Sequence, residues 1–110
     1  MKEILAILRP NKVNATKEAL AEAGFPAFTC MKVQGRGKKP YSYTGELLSG
    51  HKMMPKRIFT LIVPEDDAKK AVDAIMKVNY SGKPGDGKVF VLPIGEAYRV
   101  SSGEGGADAY

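Results

Sequence analysis

The sequence has very few of the residues that disulfides, metal sites and membrane spans require. Its 110 residues include one cysteine, Cys30, and one histidine, His51. A single cysteine cannot form an internal disulfide, and one cysteine with one histidine supplies too few ligands for a structural zinc site. The longest apolar runs are too short for a membrane span or a secretory signal. We therefore expect a cytoplasmic protein with no membrane insertion.

The composition indicates a single soluble domain that spans residues 1–110. Hydrophobic residues make up 44% of the chain and charged residues 26%, as in ordinary globular proteins. A chain of this length buries one modest core and is too short for two. No Ser-His-Asp set or pair of carboxylates stands out, so we expect that the protein is not an enzyme.

The formal net charge is +5, and the basic residues cluster beside glycines. One such cluster is the segment Gly35-Arg36-Gly37-Lys38-Lys39, and another is SGKPGDGKVF, residues 81–90. Glycine lets the backbone approach an anion with its N–H groups, while lysine and arginine supply positive charge. Anions are therefore the expected partners, and both segments are candidate phosphate sites.

The segment at residues 81–90 has the spacing of a P-loop but not its context. Gly82, Gly87 and Lys88 fit G-x-x-x-x-G-K, in which backbone N–H groups and a lysine surround a phosphate chain. The next residue, however, is Val89 where a P-loop has Ser or Thr, and KVFVLPI is typical of a strand instead of a helix. The segment is either another kind of phosphate loop or a tight Asp-Gly turn.

The hydrophobic pattern predicts four strands and two helices in the order β-α-β, loop, β-α-β. The strands are predicted at residues 2–9, 27–35, 57–64 and 88–94, and the helices at 11–24 and 65–79. Asn11 is the expected N-cap of the first helix and Gly24 its C-terminal stop. This order is that of an α+β, ferredoxin-like fold, with both helices on one face of an antiparallel sheet.

The remaining parts of the chain lack periodicity. Residues 36–55 form a long loop without a helical or strand pattern, and such loops in small domains are usually functional. The tail after Val100 is small, polar and rich in glycine, and we expect it to be disordered. The strands show little polar alternation, so we expect identical subunits to bury the face of the sheet that the helices leave open.

Three separated segments resemble the PII family of nitrogen-regulatory signal proteins. The first runs from Met1-Lys2-Glu3-Ile4 to Gly24, and the second combines Gly35-x-Gly37-Lys38 with Pro55-Lys56. The third is Ser81-x-x-x-Gly85-Asp86-Gly87-Lys88-Val89-Phe90-Val91, which is similar to the B-loop signature of that family. The resemblance covers essentially the whole chain. The glycine-rich start of the long loop, the Gly24–Ala27 turn and Gly45-Glu46 look more like the nitrogenase-associated subgroup.

The resemblance implies a trimer that binds ATP or ADP between subunits and regulates a target protein. Residues 36–55 would be the mobile T-loop, 81–88 the B-loop and 95–110 the C-terminal loop and tail. The implied nucleotide-binding and effector-binding residues are Thr29, Gly35, Gly37, Lys38, Lys56, Gly85, Asp86, Gly87, Lys88 and Arg99. Candidate targets are nitrogenase, an ammonium channel or a metabolic enzyme, and the trimer could be a homotrimer or be mixed with a paralogue.

Several positions depart from the family pattern. The second arginine of the C-terminal loop falls at Ser101, and the glutamine that helps to hold Mg²⁺ and 2-oxoglutarate falls at Lys39. Lysine has no acceptor atom with which to ligate Mg²⁺. Lys56, in contrast, matches the family lysine that meets the carboxylate of 2-oxoglutarate. Tyr41 and Tyr43 lie too early to be the family's modified tyrosine. Binding of Mg²⁺ and 2-oxoglutarate therefore stays open.

Other functions remain as alternatives at this point. A ferredoxin-like sheet with net positive charge is the outline of an RNA-binding domain, but KVFVLPIG lacks the aromatic RNP1 pattern needed for base stacking. A copper-tolerance protein of the same fold would need more soft ligands than Cys30 and His51 provide. A further alternative is a PII-like sensor of energy state, or of another small anion, that does not respond to 2-oxoglutarate.

Overall fold

The computed structural model describes residues 1–38 and 52–109 of the chain. Its strands are β1 (Lys2–Leu8), β2 (Thr29–Gly35), β3 (Met54–Val63) and β4 (Gly87–Pro93), and its helices are α1 (Val13–Glu22) and α2 (Ala68–Asn79). The four strands form one antiparallel sheet in the order β2-β3-β1-β4. This confirms the predicted α+β, ferredoxin-like fold. Within the described ranges, no helix is long and apolar enough to cross a membrane.

The core lies between the two helices and one face of the sheet. Alternate residues of the central strands β1 and β3 point into it, and the register places Ile4 opposite Leu61 and Ala6 opposite Phe59. The buried apolar residues are Ile4, Ala6, Leu8, Leu20, Phe59, Leu61, Val63, Ala71 and Ile75. Burial of a large apolar side chain contributes about 1.5–3 kcal/mol, so this set is the main source of stability.

A buried polar pair joins the two helices. The side-chain amide of Asn79 donates to the Thr16 hydroxyl at 3.0 Å and to the Ile75 carbonyl at 2.8 Å. The Thr16 hydroxyl in turn donates to the carbonyl of Lys12 at 2.7 Å. Because buried polar groups are costly unless they are paired, this chain of bonds specifies how α1 packs on α2.

Each helix begins later than the sequence predicts, because a 3-10 turn precedes it. Pro10–Lys12 forms the first turn and Glu65–Asp67 the second. The predicted N-cap at Asn11 is therefore wrong: Lys12 occupies that position, and Pro10, with its fixed φ, begins the turn. The predicted stop at Gly24 is confirmed, since its φ of +94° ends α1 and its N–H bonds to the Ala21 carbonyl.

The strand β3 begins at Met54, three residues earlier than the predicted start at residue 57. Met54 pairs with Gly35 and Pro55 with Gln34, so residues 54–55 extend the hairpin instead of belonging to the predicted loop. Pairing with β2 therefore extends β3 beyond the segment that its hydrophobic pattern predicts. The positions Lys39, Tyr41, Tyr43, Gly45, Glu46 and His51, which enter the sequence interpretation, lie outside the described residues.

The tail is folded, so the predicted disorder is wrong for residues 101–109. Tyr98 forms an isolated bridge with Gly105, and the N–H of Arg99 donates to the Glu104 carbonyl at 2.7 Å. A 3-10 turn, Gly106–Ala109, follows. Backbone hydrogen bonds between glycine-rich turns order this segment, although its side chains give no hydrophobic pattern.

The second face of the sheet is largely apolar, and the two helices do not cover it. The register places Leu5, Ile58 and Phe90 on this face, because each is one position away from a core residue along its strand. Met31 is 45% exposed there, Phe90 47% and Leu92 37%. We call this surface the open face.

Candidate functional site

The loop between α2 and β4, which we call the B-loop (residues 81–88), is organised by a single carboxylate. Asp86 accepts hydrogen bonds from the backbone N–H of Ser81 at 2.7 Å and of Gly82 at 3.0 Å. It also accepts one from the Ser81 hydroxyl, which in turn accepts from the Lys83 N–H at 3.2 Å. The side chain of Asp86 is therefore directed into the loop, where it ties the end of the loop to its beginning.

Two glycines of the B-loop have backbone conformations that other residues avoid. Gly85 has a φ of +93° and Gly87 a φ of +112°, both in the left-handed region. A Cβ at Gly85 would lie 3.3 Å from Nη2 of Arg9, and a Cβ at Gly87 would overlap the carbonyl oxygen of Ile7. The glycines are therefore required by the conformation of the loop and by its contact with β1.

Arg9, which the sequence interpretation gave no functional role, is in contact with the B-loop. Its Nε donates to the Gly85 carbonyl at 2.9 Å and its Nη2 to the Pro84 carbonyl at 2.8 Å. The same Nη2 lies 3.4 Å from Oδ1 of Asp86, and only 11% of the Arg9 side chain is exposed. The sequence feature that could have identified Arg9 is its position directly after β1. Leu8, the last residue of β1, pairs with Gly87 at the start of β4.

The surroundings of Asp86 stabilise its ionised form. Burial alone would raise the pKa of this carboxyl, but the bonds from the Ser81 hydroxyl and the Ser81 and Gly82 amides outweigh burial. The positive charge of Arg9 acts in the same direction, and the net pKa lies below the ordinary value of 3.8. The side chain of Asp86 is consequently an anion in the folded protein, and this carboxylate is suited to holding the loop, not to contacting a phosphate.

Lys56 lies beside Gly35 near the end of the β2–β3 hairpin. A Cβ at Gly35 would be 3.4 Å from Cδ of Lys56, so the lysine stem runs along the glycine backbone. Burial lowers the pKa of Lys56, and the nearby charge of Arg9 lowers it further. The positive charges of Lys56 and Arg9 therefore lie close enough to repel each other, and the stem of Lys56 lies against Gly35.

The sheet register places several predicted site residues on the open face. Lys56 pairs with Val33, Thr29 with Thr60, and Lys88 with Ile7. By the two-residue period of a strand, the residues that share this face are Thr29, Gly35, Lys56 and Lys88. Gly37 and Lys38 follow β2 and are exposed. The arrangement places backbone and lysine donors along a surface that the helices leave uncovered.

Arg99 lies in the C-terminal hairpin, where its guanidinium donates to the carbonyl of Asp108 at 2.7 Å. Its backbone carbonyl accepts from the Gly103 N–H at 2.8 Å. The structure thus shows this predicted phosphate ligand in contact with the tail of its own chain.

Metal-ligating side chains do not assemble in the described part of the chain. Residues 1–38 and 52–109 contain no group of three or more His, Cys, Asp or Glu side chains that could hold a metal ion. Lys39, which stands where the family has its Mg²⁺-associated glutamine, lies outside these ranges.

The sequence model for the family described as "Nitrogen regulatory protein P-II" matches residues 1–104. The chain belongs to this family. P-II proteins are signal-transduction regulators, not enzymes, and the family binds adenine nucleotides. Membership argues against the RNA-binding and copper-tolerance alternatives.

The descriptions of similar proteins refer to nitrogen fixation. A "Nitrogen fixation nifHD region GlnB-like protein 2" of Methanobacterium ivanovii is 45% identical, with 99% of this chain and 98% of that protein covered. The protein of the same description from Methanococcus maripaludis is 46% identical, with 99% of each chain covered. A "GlnB-like protein 1" of Methanothermococcus thermolithotrophicus is 41% identical over 96% of this chain and 99% of its own. These names confirm the resemblance to nitrogenase-associated P-II proteins.

Proposed function

We propose that this P-II protein binds ATP or ADP at the B-loop and reports nucleotide state to a target protein of nitrogen metabolism through residues 36–55. The observation that carries the binding proposal is the shared face of Gly35, Lys56 and Lys88, next to the B-loop. The role of residues 36–55 in signalling rests on family membership, because most of that segment lies outside the described residues.

The donor set of the site fits a polyphosphate. Lys83 and Lys88 lie within the B-loop, and Gly85 and Gly87 leave parts of its backbone without side chains. Each charge-assisted hydrogen bond to a phosphate contributes about 1.5–3 kcal/mol, so three such contacts contribute about 4.5–9 kcal/mol, and the upper end of this range reaches the roughly 8 kcal/mol of micromolar binding. Asp86 supports this set by fixing the loop, and Gly37 and Lys38 extend it from the end of β2.

The open face supports the proposal that the functional unit is a homotrimer. An apolar surface that includes Met31, Phe90 and Leu92 would be costly to leave in water. The number of subunits comes from the family. In such an assembly the ligand would lie between neighbours, and Arg99 and Thr29 of one subunit would complete the site of another.

Two versions of this function differ in whether the protein responds to 2-oxoglutarate. The lowered pKa and partial burial of Lys56 favour an acidic effector that would offset its unfavourable charge. Lys39, a cation in place of the family glutamine, favours a sensor of energy state or of another anion instead, because it cannot ligate Mg²⁺. We favour the nucleotide sensor as the function common to both versions. The names of the relatives support a target connected with nitrogen fixation, such as nitrogenase.

Calorimetry on the purified protein tests this proposal directly. Titrations with ATP and with ADP come first, followed by ATP with Mg²⁺ and 2-oxoglutarate present. We expect saturable nucleotide binding, and a loss of about 10- to 100-fold for ATP in Lys88→Ala. The matched control is Lys77→Ala, which removes an exposed cation from α2. If neither nucleotide binds, the B-loop is only a turn, and RNA binding becomes the next function to test.

A further inference from the structure

We infer that Arg9 is a positioning residue, which holds the B-loop in the shape that presents its backbone N–H groups to an anion. The inference deepens the proposed nucleotide function and rests on it. Arg9 acts through the loop and does not contact the ligand.

The evidence for this role is the direction of two peptide units in the B-loop. Arg9 binds the carbonyl oxygens of Pro84 and Gly85, which are consecutive in the chain. In a planar trans peptide the C=O and the following N–H point in opposite directions. With both carbonyls directed at Arg9, the N–H groups of Gly85 and Asp86 are directed away from it. Two successive amides that point the same way form the kind of concave donor pair that binds anions.

Asp86 fixes the other end of the loop. Its carboxylate holds the N–H groups of Ser81 and Gly82, and it is itself 3.4 Å from the Arg9 guanidinium. The two side chains thus fix residues 81–82 and 84–85 as one unit. Because only 11% of Arg9 and 22% of Asp86 is exposed, water screens this pair less than an ordinary surface ion pair.

The geometry requires arginine, not only a positive charge. A guanidinium is a planar fork with donors at fixed separation, and it binds two neighbouring acceptors at once. A lysine at this position keeps the charge but has a compact ammonium group on a flexible stem. We therefore expect Arg9→Lys to lose the order of the loop and the affinity for ATP as Arg9→Gln does. Equal losses in the two variants would show that the loop depends on the shape of the guanidinium and not only on its charge.

Amide hydrogen exchange and calorimetry on the full-length protein test the inference. In the ligand-free state we expect the Ser81 and Gly82 amides to exchange at least about tenfold faster in both Arg9 variants. Exchange in β1 and β3 should stay as in the wild type. Affinity for ATP should fall at least about tenfold. The control is Lys69→Ala, which removes an exposed cation paired with Asp73 and should change neither quantity.

The outcomes separate this inference from the proposed function. Wild-type exchange rates at Ser81 and Gly82 in Arg9→Lys would overturn the role of Arg9, whether or not the wild type binds ATP. Faster exchange with unchanged ATP affinity would also overturn it, because the loop shape would then not matter for the anion. Failure of the wild type to bind any nucleotide would overturn the proposed function, and with it the anion-presenting part of this inference. If Arg9→Gln does not fold, the conservative Arg9→Lys decides.

Discussion

Gly87 lies directly against the backbone of Ile7, with no space for a side chain between them. A Cβ on Gly87 would overlap the carbonyl oxygen of Ile7, and the φ of Gly87 is +112°. This contact joins the end of the B-loop to the central strand of the sheet. The loop that carries the proposed site is therefore attached to the most buried part of the fold.

The first prediction concerns this contact. Gly87→Ala should destabilise the protein by about 2–4 kcal/mol, because it combines a strained φ with a clash against backbone that cannot move away. Thermal or denaturant unfolding measures the loss. Gly95→Ala is the control, since nothing lies within 4 Å of its added Cβ and its φ is not positive. Equal stability of the two variants would contradict the close approach of β1 and β4.

The second prediction concerns pH. The pKa of Asp86 is lower in the folded protein than its ordinary value of 3.8, so its ionised form stabilises the fold. This stabilisation is fully present above pH 3.8 and is lost as the pH falls through the lower, folded-state pKa. Asp86→Asn should therefore destabilise the protein by about 1 kcal/mol at neutral pH. The difference from wild type should shrink below pH 3.8, as measured by denaturant unfolding between pH 2 and 7. A difference that is constant across this range would show that Asp86 has no such role.

The third prediction concerns Lys56, where we expect one substitution to raise stability and to weaken anion binding. The pKa of Lys56 lies below its ordinary value of 10.5, so the charged form destabilises the folded protein. This destabilisation is fully present at a pH below the folded-state pKa, and it disappears above pH 10.5. Lys56→Met keeps the stem beside Gly35 and removes the charge. At pH 7 we expect a gain of a few tenths of a kcal/mol, or about 1–3 °C in Tm. The affinity for anionic effectors should fall in the same variant. A lower Tm would mean that Lys56 is net stabilising.

The fourth prediction tests the open face. Phe90→Glu should convert the proposed trimer to monomers, because it places a charge in an apolar interface. Light scattering after size-exclusion chromatography gives the mass directly. Val91→Glu is a closely matched control: the two residues are adjacent in β4 and both are 47% exposed, but Val91 points to the helical side of the sheet. Loss of the trimer in the Val91 variant alone would place the interface on the other side.

The fifth prediction concerns the tail and Arg99. A chain that ends at Ser102 lacks the Asp108 carbonyl, so the Arg99 guanidinium is released from that bond. One hydrogen bond contributes about 0.5–1.5 kcal/mol, and we expect ATP to bind about 3- to 10-fold more tightly by calorimetry. Asp108→Ala keeps the carbonyl and should behave as the wild type. Weaker ATP binding by the shortened chain would show that the tail supports Arg99 in place of competing for it.

Local sequence patterns predicted the order of the elements well. The short apolar segments of β1 and β3, the helical spacing of Ala71 and Ile75, and the glycine stop at Gly24 are all local signals, and the structure contains each predicted element. The errors also follow from this local basis. Asn11 is a good cap by residue type, but Pro10 directs the chain into a 3-10 turn first, and β3 extends to Met54 because β2 offers it a partner.

The sequence by itself determined the fold class, the family and the position of the glycine-rich B-loop, because strand and helix periods and loop motifs are written in consecutive residues. Only the tertiary structure decided the contacts of Arg9 with residues 84–86, the position of Lys56 beside Gly35, and the packing of Gly87 on Ile7. Arg9 and Gly85 are 76 positions apart in the chain, and their contact depends on the pairing of β1 with β4. Strand pairing is set by the packing of the whole sheet, which no local pattern contains.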